Sequence, residues 1–335
     1  MLETGQGVPD PTVVRDPGIP TLLEVLNSLT ARTYLEPALA DHARAIEDIR
    51  FQILKHHPGK RCTVKISART PTGWRDVIGK VYAEDRSDVY RAMHEISRTG
   101  FGPDETLAIP QPIAYVPALR LLLQEKIGGP RVKEIVLTGD ERARTEASER
   151  CARWLVKFHA VAPRSGRVLD LTSEMDAAER WSQAIVGLGG RLPRLARGLS
   201  RRLHEEAASV RRRELCAGHG SYNCNQIVLT ESRTITFDWD GCDVADPSRD
   251  VARFIVALQR QAFKYFGSIQ ALDTAAGVFL RTYQTESPFD VSATLSWYRA
   301  LTCLRLAKYM ADRPVCTLGT VIEALLDEGL RVLER

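Results

Sequence analysis

A change of hydrophobic period at the pair Gly128-Gly129 constrains this 335-residue chain more than any other feature. From Ile49 towards the pair, apolar residues mostly alternate with polar ones; after it, they recur mostly every three or four residues. Alternation puts successive side chains on opposite faces of a strand, whereas the longer period lines one face of a helix. The stretch IRFQILKHHPGKRCTVKIS, which starts at Ile49, reads as two strands joined at Pro58-Gly59. Proline presets the backbone of a turn and glycine accepts positive φ there. TPTGW makes a second turn, and RDVIGKVYA is the third strand of an antiparallel meander. SDVYRAMHEISRTG begins with a serine N-cap candidate and stops at Gly100, so a helix is expected. PQPIAYVPALRLLLQEKIGGP adds two short strands before the glycine pair, and PTLLEVLNSLTARTYL (20–35) has helical spacing.

Beyond the pair, a helical period marks segments near 141–162, 173–188, 194–213, 248–265, 267–286, 289–311 and 317–334. The interruption is 214–246, where QIVL and TITFDWD predict a short hairpin with polar loops. The expected fold class is α+β in two lobes. A flexible tail over 1–17, rich in Gly, Pro and Asp, precedes a small β-rich N-lobe over 18–127 and a larger, mostly helical C-lobe over 128–335.

Composition excludes several classes. With 44% hydrophobic and 26% charged residues and a net charge of +4, the chain is an ordinary globular one. No apolar run is long enough for a membrane helix, and the N-terminus has no basic-then-apolar signal, so a cytoplasmic protein without a membrane partner is expected. Seven cysteines, an odd number without a framework pattern, suit buried thiols. Cys216, His219, Cys224 and Cys242 do not have the paired spacing of a zinc site.

Three pieces carry chemistry. Lys80 lies mid-strand in VIGKVY, where a lysine flanked by Ile78 and Val81 can aim its amine into a cleft, or into solvent if the strand is an edge. Glu95, on the helix that follows, is a candidate ion-pair partner. In ITFDWDGCDVADPSRD, Asp238 and Asp240 close an apolar strand. Side chains two apart on a strand share a face, so both carboxylates are expected to meet one hard cation such as Mg²⁺.

The stretch 219–250 resembles the aminoglycoside phosphotransferase / choline kinase-like superfamily. That family has H-G-D-x-x-x-x-N, an apolar strand, I-D-W-E/D and then G-D-P-x-x-D. Here the elements are His219-Gly220-Ser221, Gln226, Phe237-Asp238-Trp239-Asp240 and Ala245-Asp246-Pro247 followed by Asp250. RWLVKFHA (153–160), LRLLLQEKIGG (119–129) and HHPGKRCTVKIS are similar to the family's Leu-His-Ala helix, its last small-lobe strand with hinge, and its first hairpin. The resemblance spans roughly residues 45–260 and implies a protein-kinase-like fold with ATP and Mg²⁺ as cofactors. It further implies that Lys80 meets the α/β-phosphates with Glu95 holding it, and that the backbone of Glu125 to Ile127 faces adenine. Asp238 would bind Mg²⁺, with Gln226 in the place of the family's metal-binding Asn, and Asp250 would brace the loop.

Ser221 is the departure. It stands where the family has the carboxylate that orients or deprotonates the acceptor hydroxyl, and a serine hydroxyl hydrogen-bonds but is no base near neutral pH. Nearby substitutes are Asp240, Asp243 and His219, although the resemblance implies a structural place for His219. Two readings follow: a phosphotransferase acting on a hydroxyl of a small molecule or of a peptide Ser/Thr, and a pseudokinase scaffold that binds nucleotide and supports a partner. The segment 191–213 carries eight arginines against two glutamates. That is either a solvated basic face or a dock for an acidic peptide, a role compatible with members of the superfamily that phosphorylate precursor peptides of natural products. The basic segment argues against a polycationic acceptor, and a net +4 without a binding motif argues against nucleic acid.

Overall fold

The structure, a computed structural model, describes residues 15–39, 46–208, 210, 214–312 and 318–334. Two compact units meet in sequence at Gly128 and Gly129.

The first unit holds helices α1 (Leu22–Val25) and α2 (Ser28–Ala38), strands β1 (Asp48–His57), β2 (Arg61–Thr70) and β3 (Gly73–Tyr82), helix α3 (Ser87–Ser97), and strands β4 (Leu107–Ala108), β5 (Pro112–Val116) and β6 (Leu121–Glu125). Five of the strands form an antiparallel sheet in the order β1-β2-β3-β6-β5. Leu22, Val25 and Leu35 of the two N-terminal helices join Val64, Ile66, Val77, Val81, Leu121 and Leu123 in one apolar core. Burying each such side chain contributes about 1.5–3 kcal/mol. The helix expected over 20–35 is in fact two, because the Asn27 carboxamide accepts hydrogen bonds from the Leu29 and Thr30 amides and starts a new helix there.

The flexible tail expected over 1–17 needs correction at its end, its first fourteen residues lying outside the described ones. Asp16 is docked: its carboxylate accepts hydrogen bonds from the Gly59 amide at 2.8 Å and the Gly18 amide at 2.9 Å, and bonds His56 Nε2 at 2.8 Å. The chain therefore joins the fold at the β1–β2 turn. Gly18 is required at that crossing, since a Cβ on it would lie 2.4 Å from Gly59 Cα.

The second unit runs α4 (Val132–Thr138), α5 (Glu141–Val161), α6 (Leu171–Ile185), α7 (Leu192–Ala207), β7 (Cys216–Gly218), β8 (Ile227–Leu229), β9 (Thr234–Thr236), β10 (Asp243–Ala245), α8 (Ser248–Phe266), α9 (Asp273–Glu286), α10 (Leu295–Ala311) and α11 (Leu318–Leu333). Strands β8 and β9 form the expected hairpin, and β10 pairs antiparallel with β7. Every residue of α8 from Ser248 to Gln259 is buried, which makes α8 the central helix of the unit. Trp154 and Phe158 of α5, Tyr222, Trp239, Phe254 and Phe279 build an aromatic core, with Phe254 and Phe279 stacked at 4.0 Å. Among the described residues no helix is long and apolar enough to cross a membrane.

Candidate active site

In the first unit, Lys80 sits on β3, the central strand of the sheet, opposite Thr63 on one side and Leu122 on the other. The side chain is buried, 6% exposed, so it is not an edge lysine in solvent. Its neighbour Gly79 faces the apolar core, where a Cβ would meet Ile66 and Leu121 methyls at 3.1 Å. Lys80 therefore points to the opposite face. On that face, sequence reasoning missed Asp76, which gathers Ser67 at 2.5 Å and Lys65 and Lys126 at 3.0 Å each. Burial pushes the Asp76 carboxyl up, but the hydrogen bonds from Ser67, Lys126 and Lys65 outweigh it and leave a pKa of about 2.

Glu95 does not take its expected place. It is exposed on α3, outside the buried stripe of Val89, Ala92, Met93 and Ile96, and forms no ion pair among the described residues. A helix buries only one stripe, and the positions three and four apart that fill it here exclude residue 95. Glu125, at the end of β6, engages its amide with the Gln111 carbonyl and its carboxylate with the Gln111 amide. Ile127 lies just past the strand, half-buried.

In the second unit, the polar loop between β7 and β8 is held from below by α8. The His219 amide donates to Asp250 Oδ2 at 2.6 Å, and Arg253 donates to the Gly220 carbonyl. Asp250 is fully buried; desolvation would raise its pKa, but the His159 imidazole 3.7 Å away and the charge of Arg253 hold it well below the carboxylate range. Gly220 has φ +77°, and a Cβ on it would lie 1.7 Å from the Gly241 carbonyl oxygen, so no other residue fits.

Above that brace the loop ties itself together through Asn223. Its Nδ2 donates to the Ser221 carbonyl at 2.6 Å and to Gln226 Oε1 at 2.9 Å, while its Oδ1 accepts from the Asn225 amide at 2.9 Å. Gln226 Nε2 donates to Asp238 Oδ2 at 3.0 Å. The loop thus brings together Ser221, Gln226 and Asp238, twelve residues separating the last two. Sequence reasoning missed Asn223 as well, whose only signal was an Asx-type turn residue two positions before another Asn.

Asp238 and Asp240 are not on one strand face, contrary to expectation. Strand β9 ends at Thr236, Asp238 is left-handed at φ 76° and ψ 63°, and a 3₁₀ turn runs from Trp239 to Gly241. The cause is Trp239, which is 1% exposed against Phe158 and His219 and donates its indole N–H to the Thr236 carbonyl. Aspartate tolerates the left-handed conformation that this reversal demands.

Of the possible substitutes for a catalytic carboxylate, Asp243 is buried and clamped by Arg249 Nη1, whose Nε lies 3.0 Å from Glu174. Burial raises its pKa, and its Oδ1 rests where a Cβ of Gly218 would be, at 2.5 Å. Its place is a brace under β7. His219 uses both ring nitrogens, Nε2 on the Phe237 carbonyl at 3.2 Å and Nδ1 on Ser221 Oγ at 3.3 Å. The imidazole is therefore committed to the loop rather than to a zinc set with Cys216, Cys224 and Cys242. The described cysteines are thiols outside any disulfide, all buried apart from Cys242.

A family model described as the phosphotransferase enzyme family matches residues 72–297. The chain belongs to that family. No curated protein matches it significantly. Solved structures of similar fold include a choline/ethanolamine kinase family protein from Mesorhizobium loti, 15% identical with a TM-score of 0.61, covering 91% of this chain and 94% of that one. Choline kinase LicA from Streptococcus pneumoniae is 11% identical with a TM-score of 0.59, covering 91% and 99%. A thermostable mutant of aminoglycoside phosphotransferase APH(4)-Ia, solved as a ternary complex with AMP-PNP and hygromycin B, is 13% identical with a TM-score of 0.59, covering 90% and 98%. At these identities the likeness establishes the α+β kinase-like fold.

In this phosphotransferase-family chain three of the segment's arginines are paired. Arg191 pairs with Glu323 at 2.7 Å, Arg201 with Glu205 at 3.6 Å, and Arg202 with Glu206 at 2.8 Å while also donating to the Leu333 carbonyl. Residues 211–213 lie outside the described residues. Arg194 and Arg197 are exposed on α7 beside those pairs.

Proposed function

We propose that this chain is an ATP- and Mg²⁺-dependent phosphotransferase acting on a hydroxyl, with a small molecule as acceptor. The observation that carries the reading is the 3.0 Å approach of Gln226 to Asp238 on a loop braced from beneath by Asp250 and Arg253. Mg²⁺ takes one or two carboxylates and leaves its remaining positions to water and phosphate oxygens. One carboxylate beside one carboxamide suits that demand. No three His, Cys, Asp or Glu side chains gather as a metal site among the described residues, so the donor set fits a cation that arrives with a nucleotide. Asp238 would hold it, and Gln226 would turn its amide over to offer Oε1, releasing Asn223. Bound Mg²⁺ supplies neutralisation of phosphate charge.

The first unit adds groups suited to the nucleotide. Lys80 is a buried ammonium on a central strand, fit for α/β-phosphates. Ile127 lies past the end of β6, and its backbone makes no hydrogen bond among the described residues, as an adenine-facing segment requires. The hygromycin B and AMP-PNP bound by APH(4)-Ia support a small-molecule acceptor and ATP. A peptide Ser/Thr offers the same hydroxyl chemistry.

The test is Mg²⁺-dependent release of ADP from ATP, with Asp238→Ala as the comparison. A loss of about 10²-fold or more is expected from removal of the metal-binding carboxylate; an unchanged rate overturns the metal assignment. Ser221 favours a second reading, a nucleotide-binding scaffold. Thermal stabilisation by MgATP without ADP release supports that one, since a ligand that binds only the folded state raises its melting temperature whether or not it reacts.

A further inference from the structure

The hydroxyl that replaces the family's carboxylate is not isolated. Ser221 is half-buried, so its Oγ can meet an incoming group, and that Oγ lies 3.3 Å from His219 Nδ1. The other ring nitrogen, Nε2, lies 3.2 Å from the Phe237 carbonyl oxygen. A carbonyl only accepts, so Nε2 carries the proton and Nδ1 presents its lone pair to Ser221. The ring is fixed in this pose by Trp239, 4.6 Å away and tilted, by Tyr222 at 5.9 Å edge-on, and by the His219 amide on Asp250. Nucleophile-side hydroxyl, base, and a third group that orients the base form the arrangement by which a weakly acidic hydroxyl is made to pass on its proton.

We propose that Ser221 and His219 together replace the missing carboxylate as a two-residue proton relay. The inference rests on the phosphotransferase reading above. As the acceptor oxygen bonds to the γ-phosphorus and the bond to the ADP oxygen breaks, the acceptor hydroxyl's proton passes to Ser221 Oγ. The proton that Ser221 carried passes to His219 Nδ1, which becomes an imidazolium, and ADP leaves with the bonding electrons. Ser221 is the residue that touches the acceptor. His219 acts through it and later returns its proton to solvent by the same route.

Burial favours the neutral imidazole needed at the start, pulling its pKa below the ordinary value. Once the imidazolium forms, the charge of Asp250 offsets part of the cost of burying it, against the opposing charge of Arg253. Asp243, another candidate, is already clamped by Arg249.

The experiment measures MgATP turnover with water as acceptor in the full chain and in Ser221→Ala, Ser221→Asp, His219→Gln and the doubles pairing His219→Gln with each change at 221. Thermal melts report folding, and melting shifts with MgATP report nucleotide binding. The relay predicts that Ser221→Ala slows turnover by about 10²-fold without loss of nucleotide binding. It further predicts that Ser221→Asp restores turnover, and that His219→Gln is harmful in the parent, adds little to Ser221→Ala, and is rescued by Ser221→Asp. A purely structural histidine would damage all three backgrounds equally, and that outcome overturns the relay. Turnover in Ser221→Ala equal to the parent also overturns it. If parent and Ser221→Asp both bind MgATP and neither turns it over, the phosphotransferase reading itself falls, and the relay with it.

Discussion

Asp250 is where the structure makes its strongest energetic claim, and Asp250→Ala tests it. The carboxylate is 2% exposed and serves three partners: the His219 amide at 2.6 Å, His159 Nε2 at 3.7 Å, and Arg253 at 3.8 Å. Removing it leaves a buried amide proton without an acceptor, which costs about 1–3 kcal/mol. It also leaves the buried Arg253 guanidinium without its counter-charge, and breaking a buried pair from one side costs about 3–5 kcal/mol. The two are not additive, because both groups share the one carboxylate and Arg253 keeps its bond to the Gly220 carbonyl. A net loss of about 3–5 kcal/mol follows. For a unit of the size that begins at Gly129, each kcal/mol moves the melting temperature by about 2–4 °C, so a drop of roughly 6–20 °C is expected. Circular dichroism melts of parent, Asp250→Ala and Asp250→Asn decide it. The asparagine should fall between the two, since its Oδ1 can still accept from the His219 amide. A drop below about 3 °C in Asp250→Ala would refute the idea that this carboxylate holds the loop.

Two further outcomes follow from the first unit. Asp16→Ala should release the β1–β2 turn, so the Gly59 amide, now bonded to that carboxylate, should exchange with solvent far faster while amides of β3 stay protected; hydrogen exchange by NMR reads both, and an unchanged Gly59 rate contradicts the docked strap. Asp76, held at about pKa 2 when folded and near 3.9 when unfolded, contributes stability that is complete above the unfolded value and is lost as pH falls from about 4 towards 2. Urea midpoints of the parent should therefore fall more steeply over that window than those of Asp76→Asn.

The strands and helices were legible because their signals are local. Pro58-Gly59 closes the hairpin where its sequence says, and β3 runs through Lys80 as the alternation of Val77, Gly79 and Val81 requires. The order of His219, Gln226, Asp238 and Asp250 along the chain was enough to point to the loop, since spacing along a chain is preserved on folding. Three features were not legible, each for one reason: burial is a competition between distant parts of the chain. Trp239 has better partners in Trp154 and Phe158 than on a strand, and its burial breaks the alternation that would have paired Asp238 with Asp240. Glu95 sits on a helix whose sequence lets several faces be buried, and packing chose one that leaves it exposed. His219 and Ser221 are two residues apart in sequence, yet their meeting depends on Phe237, Trp239 and Asp250 turning the ring. Sequence alone determined which residues stand on the loop between β7 and β8 and in the segment after β9, because those positions follow from local pattern and order. Only the tertiary structure decided what the serine there touches, because the orientation of a buried imidazole is set by neighbours brought from other elements.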